Sequence, residues 1–512
     1  MVKGVVSIKM KSILDYLDNT VKNYGEKTAV DDGNICMTWQ ELQMLSKQIG
    51  TVLCAKTNSE NPIAIVADKS AVTLAVMFGV VYAGCYYVMV DPKQPLDRMQ
   101  DIFSALSPKI IITCAENEKL IDETGYGDRK CLLEEIMQDD IDDKRLMAIR
   151  KKCKEEDILY GIFTSGSTGK PKCIVVSHKS VIDFIGHFSR TFNFTDKDIV
   201  GNQAPFDFDV SVKDIYSCVM TGAELVIIPT KLFSVPPKLL DYICEKHINS
   251  LVWAVSALTL VSCLKGLNYR VPVEVKRVMF SGEVMPIKQL KLWQQALPDA
   301  EFVNLYGPSE ITCNCMYYRV DRTFEDNELL PLGKAFEGRK ILLMDENGHE
   351  INNPGVTGEI CVVGESLARG YYNNKTETDR KFRQIDINGE TKRCYFTGDL
   401  ARYDEAGNLF FAGRKDFQIK HMGHRIELEE IEHALNQLPG VEKSCCFMNK
   451  KRNRLVGFYL GNAKENEIKS SLKRKLPAYM IPHTIVKVED MPLNKNGKTD
   501  RKYFMSRQEV LM

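Results

Sequence analysis

Thr164, Ser165, Ser167 and Thr168 crowd around Gly166 and Gly169 in YGIFTSGSTGKPK (160–172), and Lys170 closes the run. Glycines let backbone N–H groups converge and hydroxyls add further donors, so such a loop can hold a phosphate chain without a metal cage. It is not the nucleotide loop in which Gly-Lys-Ser/Thr opens a helix. Pro171 follows Lys170 here and removes a backbone donor. A polar surface turn has the same composition, so the loop acquires meaning only from its surroundings. Asp209, in FDFDVSVKDIY, is equally two-sided. It can cap a helix starting near Ser211, a common role for aspartate, or serve as a counter-charge. Val212 supplies no capping box.

Holding such groups in place takes more than one core, since 512 residues exceed what one core covers. Short β-rich runs alternate with longer amphipathic stretches: PIAIVAD (62–68), KIIITC (109–114), CIVVSH (173–178), ELVIIP (224–229), SLVWAV (250–255) and KRVMFSG (276–282). Helical patterns such as PKLLDYICEKH (237–247) separate them. This alternation predicts an α/β class with two parallel-type, helix-covered sheets. From about residue 340, KILLMDENGHEI, GEICVVG and GNLFFAGR predict short strands joined by tight turns, a small antiparallel barrel or meander. Beyond GRKDFQIK (413–420), a helix from about Glu427 to Leu438, two strands and a second helix predict a small α+β domain. The joint falls near 414–417. It divides the chain into a large N-terminal domain, 1–414, and a small mobile C-terminal domain, 415–512.

Charge and cysteine usage exclude several classes. Lys plus Arg and Asp plus Glu balance at 68 each, so no net field favours nucleic acid or an anionic membrane. Ser70–Val90 carries no charge, but Gly79 and Gly84 interrupt it and Asp91-Pro92 ends it. It predicts a buried helix over 70–83 and a buried strand over 86–90, not a membrane span. The 16 cysteines form no CxxC pair and no zinc spacing. With no signal peptide at the start, free thiols in a reducing cytoplasm are expected.

The phosphate loop, NLYGPSE (304–310), YFTGDL (395–400), GRKDFQIK (413–420) and PLNKNGKTDRK (492–502) stand in the order of the adenylate-forming superfamily. The chain resembles that superfamily from MTWQEL (37–42) to Lys502. Its members include acyl- and aryl-CoA synthetases, luciferases and the adenylation domains of nonribosomal peptide synthetases. QAPFDFDVSVKDIY (203–216), SGEVMP (281–286) and LPAYMIP (476–482) are most similar to amino-acid adenylation domains and D-alanine–D-alanyl carrier protein ligases. The resemblance implies two half-reactions using ATP and Mg²⁺. A carboxylate attacks the α-phosphate to give an acyl-adenylate and pyrophosphate, and a thiol then displaces AMP. Because the sequence stops soon after Lys498, the expected acceptor is the phosphopantetheine arm of a separate carrier protein. An acyl-CoA synthetase acting on a non-amino acid is the alternative. A catalytically inactive scaffold is the third possibility, and retention of the loop, Glu310, Asp399 and Lys498 opposes it.

The resemblance also implies roles. The loop, Thr164 to Lys170, holds the β- and γ-phosphates. Asn304, Leu305, Tyr306, Gly307 and Pro308 line the adenine slot, with Tyr306 stacking on the base, and the Ser309 hydroxyl reaches the α-phosphate. Glu310 binds Mg²⁺, a hard ion that takes carboxylate and phosphate oxygens. Asp399 accepts from the ribose hydroxyls with Arg414 assisting. Lys498 bridges the substrate carboxylate and the α-phosphate, a task for a compact point charge. It lies on the small domain, which must therefore close for adenylation and rotate for thiol entry. Asp416 is the expected hinge, and Lys420 and Gly423 belong to the expected thiolation face.

In amino-acid-activating members, the aspartate matching Asp209 pairs with the substrate ammonium. The same alignment forms the side-chain pocket from Val210, Lys213, Ala254, Met279, Ser281, Leu305, Cys313 and Asn314. Lys213 and Ser281 depart from the D-alanine pattern, which usually has an apolar residue and a cysteine there. Small Val210, Ala254 and Ser281 favour alanine, serine or cysteine as substrate. Lysines are rarely buried, so Lys213 is expected to face solvent or pair with Asp209 one helical turn earlier. An inward Lys213 would need an anion, and would favour aspartate or glutamate.

Overall fold

The charge-free stretch after Ser70 folds as a buried helix and strand in a computed structural model that describes residues 10–137, 140–166, 169–449, 452–493 and 499–511. The Ser70 hydroxyl accepts the Thr73 N–H and caps the helix Ala71–Tyr82. Eleven of its twelve residues are buried, which accounts for its lack of charge. Gly84, at φ +74°, turns the chain into the fully buried strand Tyr86–Val90. No helix among the described residues is long and apolar enough to cross a membrane.

That strand belongs to a seven-stranded sheet. Ile158–Thr164, Tyr86–Val90, Pro62–Val66, Ile110–Thr113 and Lys130–Leu132 run parallel. Lys172–Ser177 was expected among the parallel strands but lies antiparallel to Ile158–Thr164. The short phosphate loop joins the two, and it is too short for the crossover that a parallel pair requires. The second sheet has nine strands. Its parallel centre runs Glu301–Tyr306, Arg277–Ser281, Ser250–Ala254, Ile199–Asn202, Glu224–Ile227, Thr28–Asp31, and antiparallel strands close both edges. One apolar core joins the facing surfaces of both sheets through residues such as Phe184, Phe188, Tyr216 and Phe336. The small antiparallel unit after residue 340 is a five-stranded sheet built on the 14-residue strand Glu390–Tyr403.

The C-terminal region has its own cores. The strands Val441–Asn449, Arg454–Gly461 and Thr484–Lys487 form a three-stranded sheet. One face packs on the helices Leu428–Asn436 and Glu465–Lys475 through Ile431, Leu435, Cys446 and Leu472. The other buries Cys445, Phe447, Phe458 and Phe504, as strand alternation requires. Between the large and small regions stands the hairpin Gln418–His421 and His424–Glu427. Its turn residues Met422 and Gly423 have φ of +53° and +82°, the left-handed pair of a tight two-residue turn.

Candidate active site

A cavity opens where several parallel strands end, the position ligands take in open α/β sheets. Thr164 and Ser165 close the strand Ile158–Thr164 on one wall, and Ser281 closes Arg277–Ser281 on another. The loop turn explains two glycines. A Cβ on Gly166 would lie 2.0 Å from the Lys170 carbonyl oxygen, and Gly169 has φ +80°. Gly169 N–H donates to Gly166 O at 3.0 Å. Ser167, Thr168 and Lys498 lie outside the described residues. Lys170 does not line this cavity. With Gly169 it borders a neighbouring cleft against Asp101, His433 and Lys475.

Two groups of the loop, the Ser165 hydroxyl and the Gly166 N–H, are taken up by the chain itself. Gly166 N–H donates to Glu430 Oε2 at 3.1 Å, and Arg98 pairs with the other oxygen of that carboxylate. Ser165 Oγ donates to the Arg425 carbonyl at 2.8 Å and accepts from Glu427 N–H at 3.1 Å. Side chains of Arg98 and Glu430 are 6% and 2% exposed, so this pair is an interior one. A carboxylate thus occupies a donor of the loop expected to bind phosphate.

Glu310 is engaged in the complementary way. It is buried, takes the Tyr371 hydroxyl at 2.7 Å, and receives Arg425 Nη1 on both oxygens at 2.9 and 2.8 Å. Burial works to raise its pKa, but the Arg425 charge and the Tyr371 hydrogen bond outweigh it and hold the carboxyl at about 2. Among the described residues no group of three or more His, Cys, Asp or Glu converges as a metal site. One buried carboxylate, with substrate phosphates completing the shell, fits Mg²⁺, provided that Arg425 withdraws. Arg425, Glu430, Arg98 and Tyr371 were not singled out in the sequence. HRIELEE reads there only as a helix start.

Asp399, 5% exposed, accepts from Tyr306 Oη at 2.6 Å and Arg414 Nη1 at 2.5 Å. Arg414 also grips Asp416 at 2.6 and 2.8 Å, which fixes the expected hinge residue against the strand Leu409–Arg414. Gly307, Pro308 and Ser309 wall the cavity. Asn304, Leu305 and Tyr306, expected there too, stand behind the wall in the strand Glu301–Tyr306, with the Asn304 amide spent on the Pro331 carbonyl. Gly307 must be glycine, because a Cβ would lie 2.6 Å from Asn314 Cα and the Cys313 carbonyl. Thr312 and Cys313 both have positive φ, a local strain that folds the chain back onto Gly307.

Asp209 precedes the helix Val210–Thr221 at its N-cap position, yet its side chain makes no capping hydrogen bond. It faces the cavity instead. Burial raises its pKa, opposed by a hydrogen bond from Ser309 and by the charges of Lys213 and Lys420. Ser309, expected to reach toward phosphate, is thus turned to Asp209. Lys420 and Gly423 enter the cavity from the hairpin tip, where Gly423 N–H donates to Glu283 Oε1 at 2.7 Å. Enclosure lowers the Lys420 pKa against the fields of Asp399 and Asp209.

Of the expected side-chain pocket, Val210, Lys213, Ser281, Cys313 and Asn314 line the cavity with Asp209. Met279 and Leu305 lie deeper, sealed in the core between the sheets. Ala254 starts the helix Val255–Cys263 beside the hairpin tip and is not on the cavity wall. The expectation of a solvent-facing or Asp209-paired Lys213 is overturned. Lys213 is buried, and its ammonium donates to Asn314 Oδ1 at 2.8 Å and Ser281 Oγ at 3.4 Å. The cause is the polar cup that the Arg277–Ser281 strand and the Thr312–Cys315 turn hold opposite the helix.

A family model described as AMP-binding enzyme matches residues 17–372, and one described as AMP-binding enzyme C-terminal domain matches 430–498. D-alanine–D-alanyl carrier protein ligase of Staphylococcus epidermidis is 30% identical over 506 residues, covering 96% of this chain and 98% of that protein. Surfactin synthase subunit 1 of Bacillus subtilis is 28% identical over 501 residues, covering 96% of this chain and only 14% of the much longer synthase. Among solved structures, the Vibrio cholerae adenylation domain AlmE, bound to glycyl-adenosine-5'-phosphate, superposes with a TM-score of 0.85. It is 21% identical and covers 99% of this chain and 100% of its own, a likeness that bears on the fold alone.

Proposed function

The chain belongs to the AMP-binding enzyme family, and from that premise we propose that it is an ATP-dependent amino-acid–carrier protein ligase. A substrate carboxylate oxygen attacks the α-phosphorus of ATP, the bond to the β-phosphate oxygen breaks, and pyrophosphate leaves. A phosphopantetheine thiolate on a carrier protein then attacks the acyl carbon, and AMP departs with the bonding electrons. The relative matched over nearly its whole length is named a D-alanine–D-alanyl carrier protein ligase, which supports a thiol acceptor of this kind.

Asp209 carries the amino-acid reading. It is a cavity-facing carboxylate released from helix capping, and it stands beside the loop, Glu310 and Asp399. An ammonium is the group it is built to receive. Asp399 and Arg414 supply the ribose contact, and Thr164 to Lys170 the phosphate contacts, with Lys498 delivering charge when the small domain closes over residues 1–414. Asp416 is the hinge of that motion. Glu310 would hold Mg²⁺, which when bound neutralises charge on the transferring phosphates. The free thiols, most of them buried, support a reducing cytoplasm as the compartment.

ATP–pyrophosphate exchange tests the reading. A panel of all amino acids in both enantiomers, with fatty and aryl acids alongside, is expected to give exchange with an amino acid. Exchange with a non-amino carboxylic acid and transfer to CoA would replace this function by an acyl-CoA synthetase.

A further inference from the structure

The substrate's side chain is legible in the surroundings of Lys213. Lys213 is 1% exposed, and both of its hydrogen-bond acceptors, Asn314 Oδ1 and Ser281 Oγ, are neutral. No described carboxylate forms an ion pair with it. Asp209, one helical turn earlier, takes a hydrogen bond from Ser309 and acts on Lys213 only through its field. Asp214, the next residue, takes the Asn202 amide at 2.8 Å and likewise acts on Lys213 only through its field. Lys420, the other lysine on the cavity wall, approaches Asp399 and Asp209 from the hairpin. An interior ammonium whose hydrogen bonds all go to neutral oxygens, with carboxylates acting on it only at a distance, is an incomplete arrangement, because desolvation of a charge is best compensated by an opposite charge in contact.

A neutral amino acid would complete the wrong half. Its ammonium would take Asp209, its carboxylate would turn to the phosphates, and Lys213 would lose the cavity's solvent while gaining no anion. We infer that the activated amino acid carries a carboxylate side chain, as aspartate and glutamate do, received by Lys213 with Ser281 and Asn314 holding the ammonium in place. Asp209 and Lys213 lie at i and i+4, on the same helix face and some 6 Å apart at their Cβ atoms. An α-ammonium and a side-chain carboxylate one or two methylenes away can meet both at once.

This rests on the amino-acid ligase reading, and one exchange panel separates the two. Aspartate, glutamate, asparagine, glutamine, alanine and serine, each in both enantiomers, are compared with the wild-type protein. An acidic amino acid is expected to exceed its own amide and the small residues by tenfold or more in kcat/KM. Lys213→Met is expected to lower that value by about 100-fold or more, mainly through the KM of the amino acid, with the KM for ATP unmoved. Lys213→Arg should retain part of the preference for the acid over its amide. If alanine, serine or an amide is the best substrate, or if Lys213→Met keeps the acid preference, the inference is wrong and the ligase reading stands. If only a non-amino acid is activated, both fall together. The wild-type panel decides even if the methionine variant fails to fold.

Discussion

Asp209 and Lys213 share one face of one helix, yet only the first was legible in the sequence. Asp209 combined a missing capping box with a matching motif. The placement of Lys213 depends on Ser281 and Asn314, 68 and 101 residues further along, and helical spacing alone offered Asp209 as an equally good partner. Removing Asp209 should isolate its part. Asp209→Ala is expected to weaken amino-acid use by about 2–5 kcal/mol, since it strands an ammonium in a partly desolvated pocket. The KM for ATP should not move, and a steady-state comparison of both substrates checks this. Normal amino-acid activation by the variant would reduce Asp209 to a structural position. Glu310 gives a second expectation. Its carboxyl is held at about 2, well below the ordinary glutamate value. The stabilisation is therefore full above about pH 4.5 and is lost as pH falls through 2. At neutral pH Glu310→Gln should lose roughly 3 kcal/mol of stability by this linkage, and the gap to wild type should narrow steadily below pH 4.5. Acid-titrated unfolding of both proteins measures it. A gap that stays constant down to pH 2 would mean the pairing with Arg425 does not form in solution.

At the scale of elements, alternation and turn residues revealed the helix Ala71–Tyr82, the parallel strands and the small domain's α+β pattern. They did not reveal that Lys172–Ser177 returns antiparallel, because a buried run looks the same in either direction. Nor did they reveal the hairpin's use. Its strands occupy only eight residues, and its partners are distributed over Ser165, Glu283 and Glu310. The hairpin docks through the interior ion pair Arg425–Glu310, and the helix Leu428–Asn436 that follows it docks through Arg98–Glu430. Arg425→Ala removes one partner and leaves Glu310 buried and unpaired, which should cost the docked arrangement about 3–5 kcal/mol. Thiol transfer from supplied aminoacyl-adenylate is expected to slow by about 10²-fold or more, while adenylate formation persists. Single-turnover assays of each half-reaction separate the effects. Equal damage to both would assign Arg425 to folding rather than to docking.

Over the whole molecule, the resemblance anticipated a large α/β region and a smaller α+β one. Lys498 lies outside the described residues, so its contribution is best read in function. Lys498→Ala is expected to reduce adenylate formation by on the order of 10²-fold or more and to spare thiol transfer, since its charge is required in only one arrangement. If both half-reactions decline together, alternation of the small domain is not how the two steps are divided. The docked arrangement itself has a kinetic meaning. Glu430 accepts the Gly166 N–H and Arg425 pairs with Glu310, so on the proposed function the C-terminal region presents an anion and a cation where Mg·ATP would present its own. On that reading it acts as a tethered competitor, present at the effective concentration its linker confers. Were nine molecules in ten docked, the apparent dissociation constant for Mg·ATP would be about tenfold the intrinsic one. The same competition is expected after adenylation: once pyrophosphate leaves, Glu430 retakes its donor and slows the return that the exchange assay reads, without abolishing it.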